Sequence, residues 1–593
     1  MMKKGKEIDM NTNFVQDAMS EVESLLRNAF AKAMEAGKLP QAEIPAFTVE
    51  IPAETSHGDF ASNAAMVSAR TFRNAPVKIA NILTECMDFS AARYIERVEI
   101  AGPGFINFFV SARWFSDIVA GVLTAGAEYG RSDYGKGEKV MIEFVSANPT
   151  GPMHMGNARG GALGDCLAAV LDWAGYDVTR EFYLNDAGNQ IQKFGKSLSV
   201  RYRQLFLGEE ACPLPEECYQ GADIIDRAKA FAEQYGDKYL NVDEAERSKA
   251  LIDFALPINI ANMEKDLGKY RIAYDVWFKE STLHASGAVQ AVVDKLLASG
   301  ACYKAEDGAI MYRSAQYAAK YGTVNKKKTE DGSEEEAKDE VLVRANGIPT
   351  YFAADIAYHY NKLAVRGFEK AIDIWGADHH GHVARMKGAM DAIGLDGEKL
   401  DVVLMQLVNL MKDGKPVRMS KRSGKAISLT DLLDMVPIDS ARFFFNQQQA
   451  ASAMDFDLDL AIKEDSDNPV YYVQYAHARI CSILRKLESE GVAYQGAEGW
   501  AGYAFPEASE QELMRLLAAF PAEIVLSAQR YDPARINHYV TDLAGAFHKF
   551  YNSCRIKDAE PQAQQARIAL CLGAKHVIYS VLSMFKITVP ESM

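Results

Sequence analysis

No stretch of about 20 consecutive apolar residues occurs in the 593-residue chain, so nothing in it reads as a membrane-spanning segment and no membrane partner is expected. The eight cysteines (Cys86, Cys166, Cys212, Cys218, Cys302, Cys481, Cys554, Cys571) form no CxxC pair and no zinc-ligand spacing. That excludes a metal ribbon and a disulfide framework, and leaves reduced, mostly buried thiols as the reading. Internal repeats and extended low-complexity tracts are missing too, which excludes a solenoid and confines disorder to short stretches. The first residues, MMKKGKEIDMNTNF, hold no apolar core of signal-peptide length, so a cytoplasmic location is expected. Basic residues are in deficit, with 65 Lys and Arg against 80 Asp and Glu, which argues against a surface that neutralises phosphates throughout.

What is present is an ordinary globular composition, 48% hydrophobic and 24% charged, long enough for several domains. The acid excess is uneven. From Val470 onward there are 12 Lys or Arg and 12 Asp or Glu, so the C-terminal part is neutral and compatible with a local basic groove.

Three units are expected. Residues 13–123 open with helical spacing (Phe14, Ala18, Val22, Leu25, Leu26, Phe30) and end in a strand-like run at 104–110, an α+β pattern; residues 129–137 read as a linker. Residues 124–464 have an α/β pattern. An apolar strand at 140–145, interrupted by Glu143, leads through a turn at 146–152 to a helix from about 156 to 174, the opening step of a doubly wound parallel sheet. An insertion is read at about 196–345, helical and polar as far as 270, and strand-like runs recur at 308–312, 371–375 and 401–404. Within it, the charged run KKKTEDGSEEEAK at 326–338 reads as a solvated loop tip. Residues 465–593 are helical in period, with Tyr472, Tyr475, Ala476, Arg479 and Ile483 on one face, and predict an all-α bundle.

Two short segments carry chemistry. His154-Met155-Gly156-Asn157 stands where the first strand hands over to its helix, and a helix N-terminus offers unpaired N–H groups to a phosphate. There His154 can donate to a phosphate oxygen in a transition state, and Gly156 lets an adenine approach the backbone. Far downstream, Val417-Arg418-Met419-Ser420-Lys421-Arg422-Ser423-Gly424 is a basic loop in which Lys421 can reach a leaving diphosphate while Ser420 and the backbone bind its oxygens. Asp378, His379 and His380 follow an apolar strand and could suggest a metal site, but no further ligand set has suitable spacing.

These two segments resemble the HIGH and KMSK signatures of the class I aminoacyl-tRNA synthetases. Four further strings resemble the arginyl branch in its bacterial form: EFVSANPTG at 143–151, NDAGNQ at 185–190, WGADHH at 375–380 and NPVYYVQYAHAR at 468–479. The resemblance spans nearly the whole chain. It implies a Rossmann-like catalytic domain between an N-terminal α+β domain that contacts the tRNA elbow and a C-terminal anticodon-binding bundle. The implied activity is ATP-dependent conversion of L-arginine to arginyl-adenylate and transfer to tRNA(Arg), with Mg2+ arriving only with ATP, in a monomer.

The resemblance also implies roles for single residues. Glu143, Ser146 and Asn148 would meet the amino and carboxyl end of arginine, and Tyr351 and Asp355 its guanidinium, a flat cation that a selective pocket must meet with acceptors. His154, Asn157 and Lys421 would act in catalysis. Gly156, Asp378, His379, Met419 and Ser420 would join Lys421 in holding ATP, and Phe105, Asn107 and Met593 would touch tRNA. Two positions depart from the family pattern: Asn157 replaces the second His of HIGH, and Arg418 the first Lys of KMSK. A synthetase for another amino acid, a smaller nucleotidyltransferase sharing HxGH and a non-catalytic tRNA-binding relative remain as rival readings.

Overall fold

The computed structural model describes residues 13–322, 339–417 and 427–593, so the charged run at 326–338 and Arg418, Met419, Ser420 and Lys421 lie outside the described residues. The centre of the molecule is a five-stranded parallel sheet built from β1 (Lys139–Glu143), β2 (Asp177–Leu184), β3 (Val276–Lys279), β4 (Lys370–Gly376) and β5 (Leu400–Met405). Its order is β5-β4-β1-β2-β3. Burial on both faces explains why β1 reads as a continuous apolar run: Val140, Met141 and Ile142 are at most 1% exposed. The helices that position the site are α1 (Gly156–Trp173), α2 (Gly188–Leu207), α3 (Tyr351–Tyr360) and α4 (His380–Ala392). From β1 the chain runs through α1 to β2 on one side, and from β4 through α4 to β5 on the other. The carboxyl ends of β1 and β4 therefore flank a topological switch point, where a crevice opens in folds of this kind.

Helix α1 lies so close to the sheet that a Cβ at Gly164 would fall 2.1 Å from Cγ of Phe144. The three glycines inside this helix beyond its first residue, Gly160, Gly161 and Gly164, each cost about 1 kcal/mol of helix propensity relative to alanine. Burial of nearly every residue from Ala158 to Leu171 offsets that cost.

The structure departs from the expected continuous insertion at 196–345. Residues 276–279 return to the central sheet as β3, paired with β2 from Glu181↔Val276 to Leu184↔Lys279. Four residues, Val-Trp-Phe-Lys, are too few to show a period in sequence. The helices Ala222–Tyr235 and Glu244–Lys269 pack with α2 before that return, and a small antiparallel sheet of Cys302–Lys304, Ile310–Tyr312 and Glu340–Val343 follows it.

At the N-terminal end, helix Phe14–Glu35 accompanies a four-stranded antiparallel sheet in the order Val49–Glu50, Phe60–Ser62, Phe105–Val110, Ile95–Ala101. At the C-terminal end, helices Pro469–Ser489, Ala508–Arg530, Ala534–Ser553 and Pro561–Met584 form a bundle. Helix Pro561–Met584 is long and apolar enough to cross a membrane by length and composition, with a mean hydropathy of 1.2 over its most apolar window, yet 67% of that window is buried inside the protein. It touches the other three helices of the bundle and helix Ala112–Ala125, the packing of a core helix.

A buried ionic knot ties the bundle to the central sheet. Asp165 of α1, 1% exposed, receives Arg442 at 2.5 Å and Lys586 at 2.8 Å. Arg442 also donates to the carbonyls of Phe585 (2.7 Å) and Tyr270 (3.0 Å), so one guanidinium holds the C-terminal segment against the sheet.

Candidate active site

Glu143 ends β1, and in the parallel register it stands beside Asp373 of β4 on one side and Glu181 of β2 on the other. In-register neighbours share a face, so three carboxylates lie in a row across three strands, an arrangement that like charges disfavour. Helix α3 and the π-helical turn that continues it, Asn361–Val365, answer with three cations. Lys362 Nζ lies 2.5 Å from Glu143 Oε2 and 2.8 Å from Asp373 Oδ1. Arg366 pairs with both oxygens of Glu181, which also accepts from the Tyr358 hydroxyl. His359 Nε2 lies 2.7 Å from Asp373 Oδ2, and its Nδ1 lies 2.7 Å from the Asp355 carbonyl. With an acceptor facing each ring nitrogen, His359 donates from both.

This layer is dry: Lys362, Asp373 and Glu181 are 0% exposed, His359 3% and Glu143 8%. Burial pushes the Asp373 carboxyl up, but Lys362 and His359 outweigh it and hold it down at about 2. Burial pushes Glu143 up and the neighbouring Asp373 charge adds to it, outweighing Lys362 and the more distant His359, so its carboxyl sits above the usual range.

Beyond Glu143 the backbone turns sharply. The Ser146 N–H donates to the Phe144 carbonyl at 3.0 Å around Val145 at φ 70°, and Ser146 itself has φ 42°. A β-branched residue at positive φ costs of order 1–3 kcal/mol. The strained turn swings the Ser146 hydroxyl back to donate to Glu143 Oε1 at 2.9 Å, while Ser146 Oγ itself accepts from the Tyr183 N–H at 3.1 Å.

The turn before α1 shows how its residues cooperate. His154 Nδ1 accepts from the Gly156 N–H at 2.9 Å, which leaves the ring proton on Nε2 as an outward donor. Asn157 Oδ1 accepts from the His154 N–H at 3.0 Å, so its amide nitrogen keeps donor capacity. A Cβ on Gly156 would meet His154 Nδ1 at 3.0 Å, so the histidine ring also crowds this glycine. The chain after the basic loop returns to the same turn: Met155 N–H donates to Ile427 at 2.9 Å, Leu429 N–H to Met153 at 3.0 Å, and His154 bridges Ser428.

A cavity of about 580 Å3 opens at the ends of β1 and β4. Of the residues expected at the site, Glu143, Ser146, Asp355, Asp378 and His379 border it. Asp378 and His379 are on its rim, with side chains 83% and 60% exposed. Asp355 faces it from α3, with His382 Nε2 3.4 Å away. Tyr351, one turn earlier on α3 and 45% exposed, borders a neighbouring cavity of about 340 Å3 instead. Asn148 and the turn from His154 to Asn157 border neither of these two cavities. Lys362, Asp373, His359, Tyr183 and His382 were not anticipated from the sequence. Asp373 had a visible signal, a carboxylate inside the apolar run Ala371-Ile372-Asp373-Ile374, the same pattern that marks Glu143.

Three family models match the chain: an arginyl tRNA synthetase N-terminal domain at residues 20–110, a catalytic domain of the class I (R) tRNA synthetases at 118–462, and a DALR anticodon binding domain at 473–593. The chain is similar to the arginine–tRNA ligase of Acetivibrio thermocellus, with 50% identity across 98% of this chain and 100% of that one. The chain belongs to the arginyl-tRNA synthetases. The arginine–tRNA ligase of Caldanaerobacter subterraneus is similar over the same shares of both chains, at 51% identity. The fold is that of the Thermus thermophilus arginyl-tRNA synthetase, with a TM-score of 0.70 over 96% of this chain and 100% of that one, at 20% identity.

In this synthetase the residues expected to meet tRNA are displayed unequally. Phe105 is half-buried at the start of its strand. Asn107 is only 5% exposed, in register with Ala61 and Glu99 on the strands to either side. Met593 is 52% exposed at the end of a tail fastened to helix Pro469–Ser489 by His477 on the Pro590 carbonyl at 2.8 Å. Most aromatics of the bundle serve its core, Phe547 and Phe550 being fully buried.

Proposed function

We propose that this arginine–tRNA ligase binds L-arginine in the 580 Å3 cavity with its guanidinium at Asp355 and its α-ammonium at Glu143 and Ser146, the amino and carboxyl end reaching toward Asn148 beyond the cavity lining. The observation that carries the reading is that two carboxylates from different elements, a strand end and a helix, border one cavity at the switch point of the sheet. Tyr351 lies one turn from Asp355 on α3 and closes the guanidinium end. ATP occupies the crevice beside it, with its adenine near Gly156 and its ribose and phosphates toward Asp378, His379 and the basic loop.

The reaction proceeds in two displacements. The arginine carboxylate attacks the α-phosphate and diphosphate leaves; a ribose hydroxyl at the tRNA 3′ end then attacks the adenylate carbonyl and AMP leaves. The protein contributes position and charge stabilisation. His154 donates from Nε2 to a phosphate oxygen, a role supported by the bond that occupies Nδ1. Asn157 supplies a neutral donor where the HIGH pattern has its second His. Lys421, with Met419 and Ser420, meets the leaving diphosphate; it lies six positions before Ile427, which is tied to the turn of His154. Mg2+ enters with ATP as part of the substrate.

The units at 13–123 and 465–593 bind tRNA(Arg) at its elbow and anticodon, with Phe105, Asn107 and Met593 among the contacts, and the unit at 124–464 is catalytic. The enzyme works as a cytoplasmic monomer. The test is aminoacylation of purified tRNA with each candidate amino acid: arginine is expected to be charged with release of AMP, and lysine or glutamate outperforming it would remove the assignment.

A further inference from the structure

The buried layer behind the cavity contains one cation with two duties. Arg366 serves Glu181, and His359 serves Asp373, but Lys362 is shared between Asp373 and Glu143, and both of those carboxylates border the cavity. The π-helical turn places it there: the Arg366 N–H reaches back five residues to the Asn361 carbonyl at 2.9 Å, and the turn leaves Lys362 0% exposed against the strand ends. Its ammonium also lies 4.2 Å from the centroid of the Tyr358 ring.

We propose that Lys362 is a positioning residue for arginine: by gripping Oε2 of Glu143 while it is anchored on Asp373, it holds the Glu143 carboxylate oriented and ionised at the cavity wall, ready for the substrate's α-ammonium. This rests on the reading above that Glu143 receives that ammonium. The physical need is specific. Glu143 and Asp373 are in-register neighbours on adjacent strands, and in a dry space two such carboxylates without a cation between them share a proton. A protonated Glu143 would attract an ammonium far less. Ser146 satisfies Oε1 of Glu143 but brings no charge, so it cannot replace Lys362. The chain of contacts continues from Asp373 through His359 to the Asp355 carbonyl, so the same cation also fixes the strand end that carries Glu143 relative to the helix that carries Asp355.

The experiment compares two variants of the full-length enzyme with the parent in tRNA-dependent aminoacylation, reading KM for arginine, KM for ATP and kcat between pH 5.5 and 9. The titratable and charged groups facing Glu143 are Lys362 on the π turn, His359, Tyr358 and Asp355 on α3, and Asp373 on β4. From the side of β2 come Glu181, held by Arg366, and Tyr183; Tyr274 closes the layer beneath Phe144. Glu143→Gln tests the reading on which the proposal rests. The double variant Lys362→Met with Asp373→Asn removes one cation and one anion together, so the net charge of the layer is unchanged while Glu143 loses its ammonium and His359 its carboxylate, and it tests the proposal itself.

Both are expected to raise KM for arginine by about 30-fold or more, the scale of losing one partner of a buried charge pair, with KM for ATP within about twofold. In the double variant the acid limb of kcat/KM for arginine should also move to higher pH, because the lost ammonium acts on Glu143 more strongly than the Asp373 charge removed with it. An unchanged arginine KM in Glu143→Gln overturns the reading of Glu143. An unchanged arginine KM in the double variant, with Glu143→Gln impaired, overturns the role of Lys362 alone. Equal losses for arginine and ATP with an unmoved pH profile assign Lys362 to scaffolding and also overturn it. If the double variant does not unfold cooperatively, Lys362→Arg, which keeps a cation of another shape, is judged by the same split between arginine and ATP.

Discussion

Asp355→Asn should cost the enzyme its preference for a guanidinium while leaving its fold intact. The nearest ionisable partner of the Asp355 side chain among the described residues is His382, whose Nε2 lies at 3.4 Å, too far for a strong hydrogen bond. The carboxylate is therefore poised rather than structural, and its replacement by an isosteric amide should change folding stability by less than about 0.5 kcal/mol. The catalytic cost is larger. A charge-assisted hydrogen bond from guanidinium to carboxylate contributes roughly 1.5–3 kcal/mol. The Asp355 side chain is 38% exposed, so solvent screens the pair and the lower half of that range applies. About 1.5–2 kcal/mol corresponds to a rise of roughly 10- to 30-fold in KM for arginine. KM for ATP should not move, since the change is at the far end of the amino acid. The assay is tRNA aminoacylation with labelled arginine, run beside citrulline, whose side chain keeps the length of that of arginine but carries no charge. The ratio of kcat/KM for arginine over citrulline should fall by the same 10- to 30-fold factor. An arginine KM within twofold of the parent, or an equal rise in both KM values, would refute the placement of the guanidinium at Asp355.

Other perturbations probe other links. Lys421→Ala should slow arginine-dependent diphosphate exchange by about a hundredfold or more, the loss typical of one transition-state donor; near-normal turnover would remove its role. The Asp373 carboxyl, held at about 2 against an ordinary 3.8, contributes about 2 kcal/mol of stability that is fully present above pH 4 and is lost as pH falls toward 2. Denaturant unfolding from pH 6 down to 3 should therefore show a shallower acid loss in Asp373→Asn than in the parent; parallel curves would count against the ion pairs described. Arg442→Met removes the main partner of buried Asp165 and should cost about 3–5 kcal/mol, read as a large fall in the thermal midpoint, whereas a midpoint within 2 °C would show the knot to be unimportant.

Much of the catalytic core is written in local pattern. A fully apolar strand with one carboxylate, a turn of small and polar residues and a glycine-rich helix announce β1, α1 and the switch-point crevice, because burial on both faces leaves no polar alternation to confuse the reading. Glu143 was visible for the same reason, and Asp373 carried the identical mark without being singled out. Lys362 was not legible: in His359-Tyr360-Asn361-Lys362-Leu363 nothing distinguishes a buried lysine from a solvated one, and its burial arises only when a π turn carries it under strands 11 and 219 residues away. The strand β3 escaped because four residues hold no period. The burial of Asn107 was hidden for a related reason. Its strand was recognised, but a run of apolar residues does not reveal whether a polar member faces water or a covered face, and register with both neighbouring strands settles that only in the fold.

The central claim is that one arginine spans the distance from Glu143 to Asp355 inside the cavity at the ends of β1 and β4. A crystal structure of the enzyme soaked with L-arginine measures this directly. The account predicts guanidinium nitrogens about 3 Å from the Asp355 carboxylate and the α-ammonium about 3 Å from Glu143. Arginine bound in the reverse orientation, or held outside that cavity with both carboxylates untouched, would contradict it.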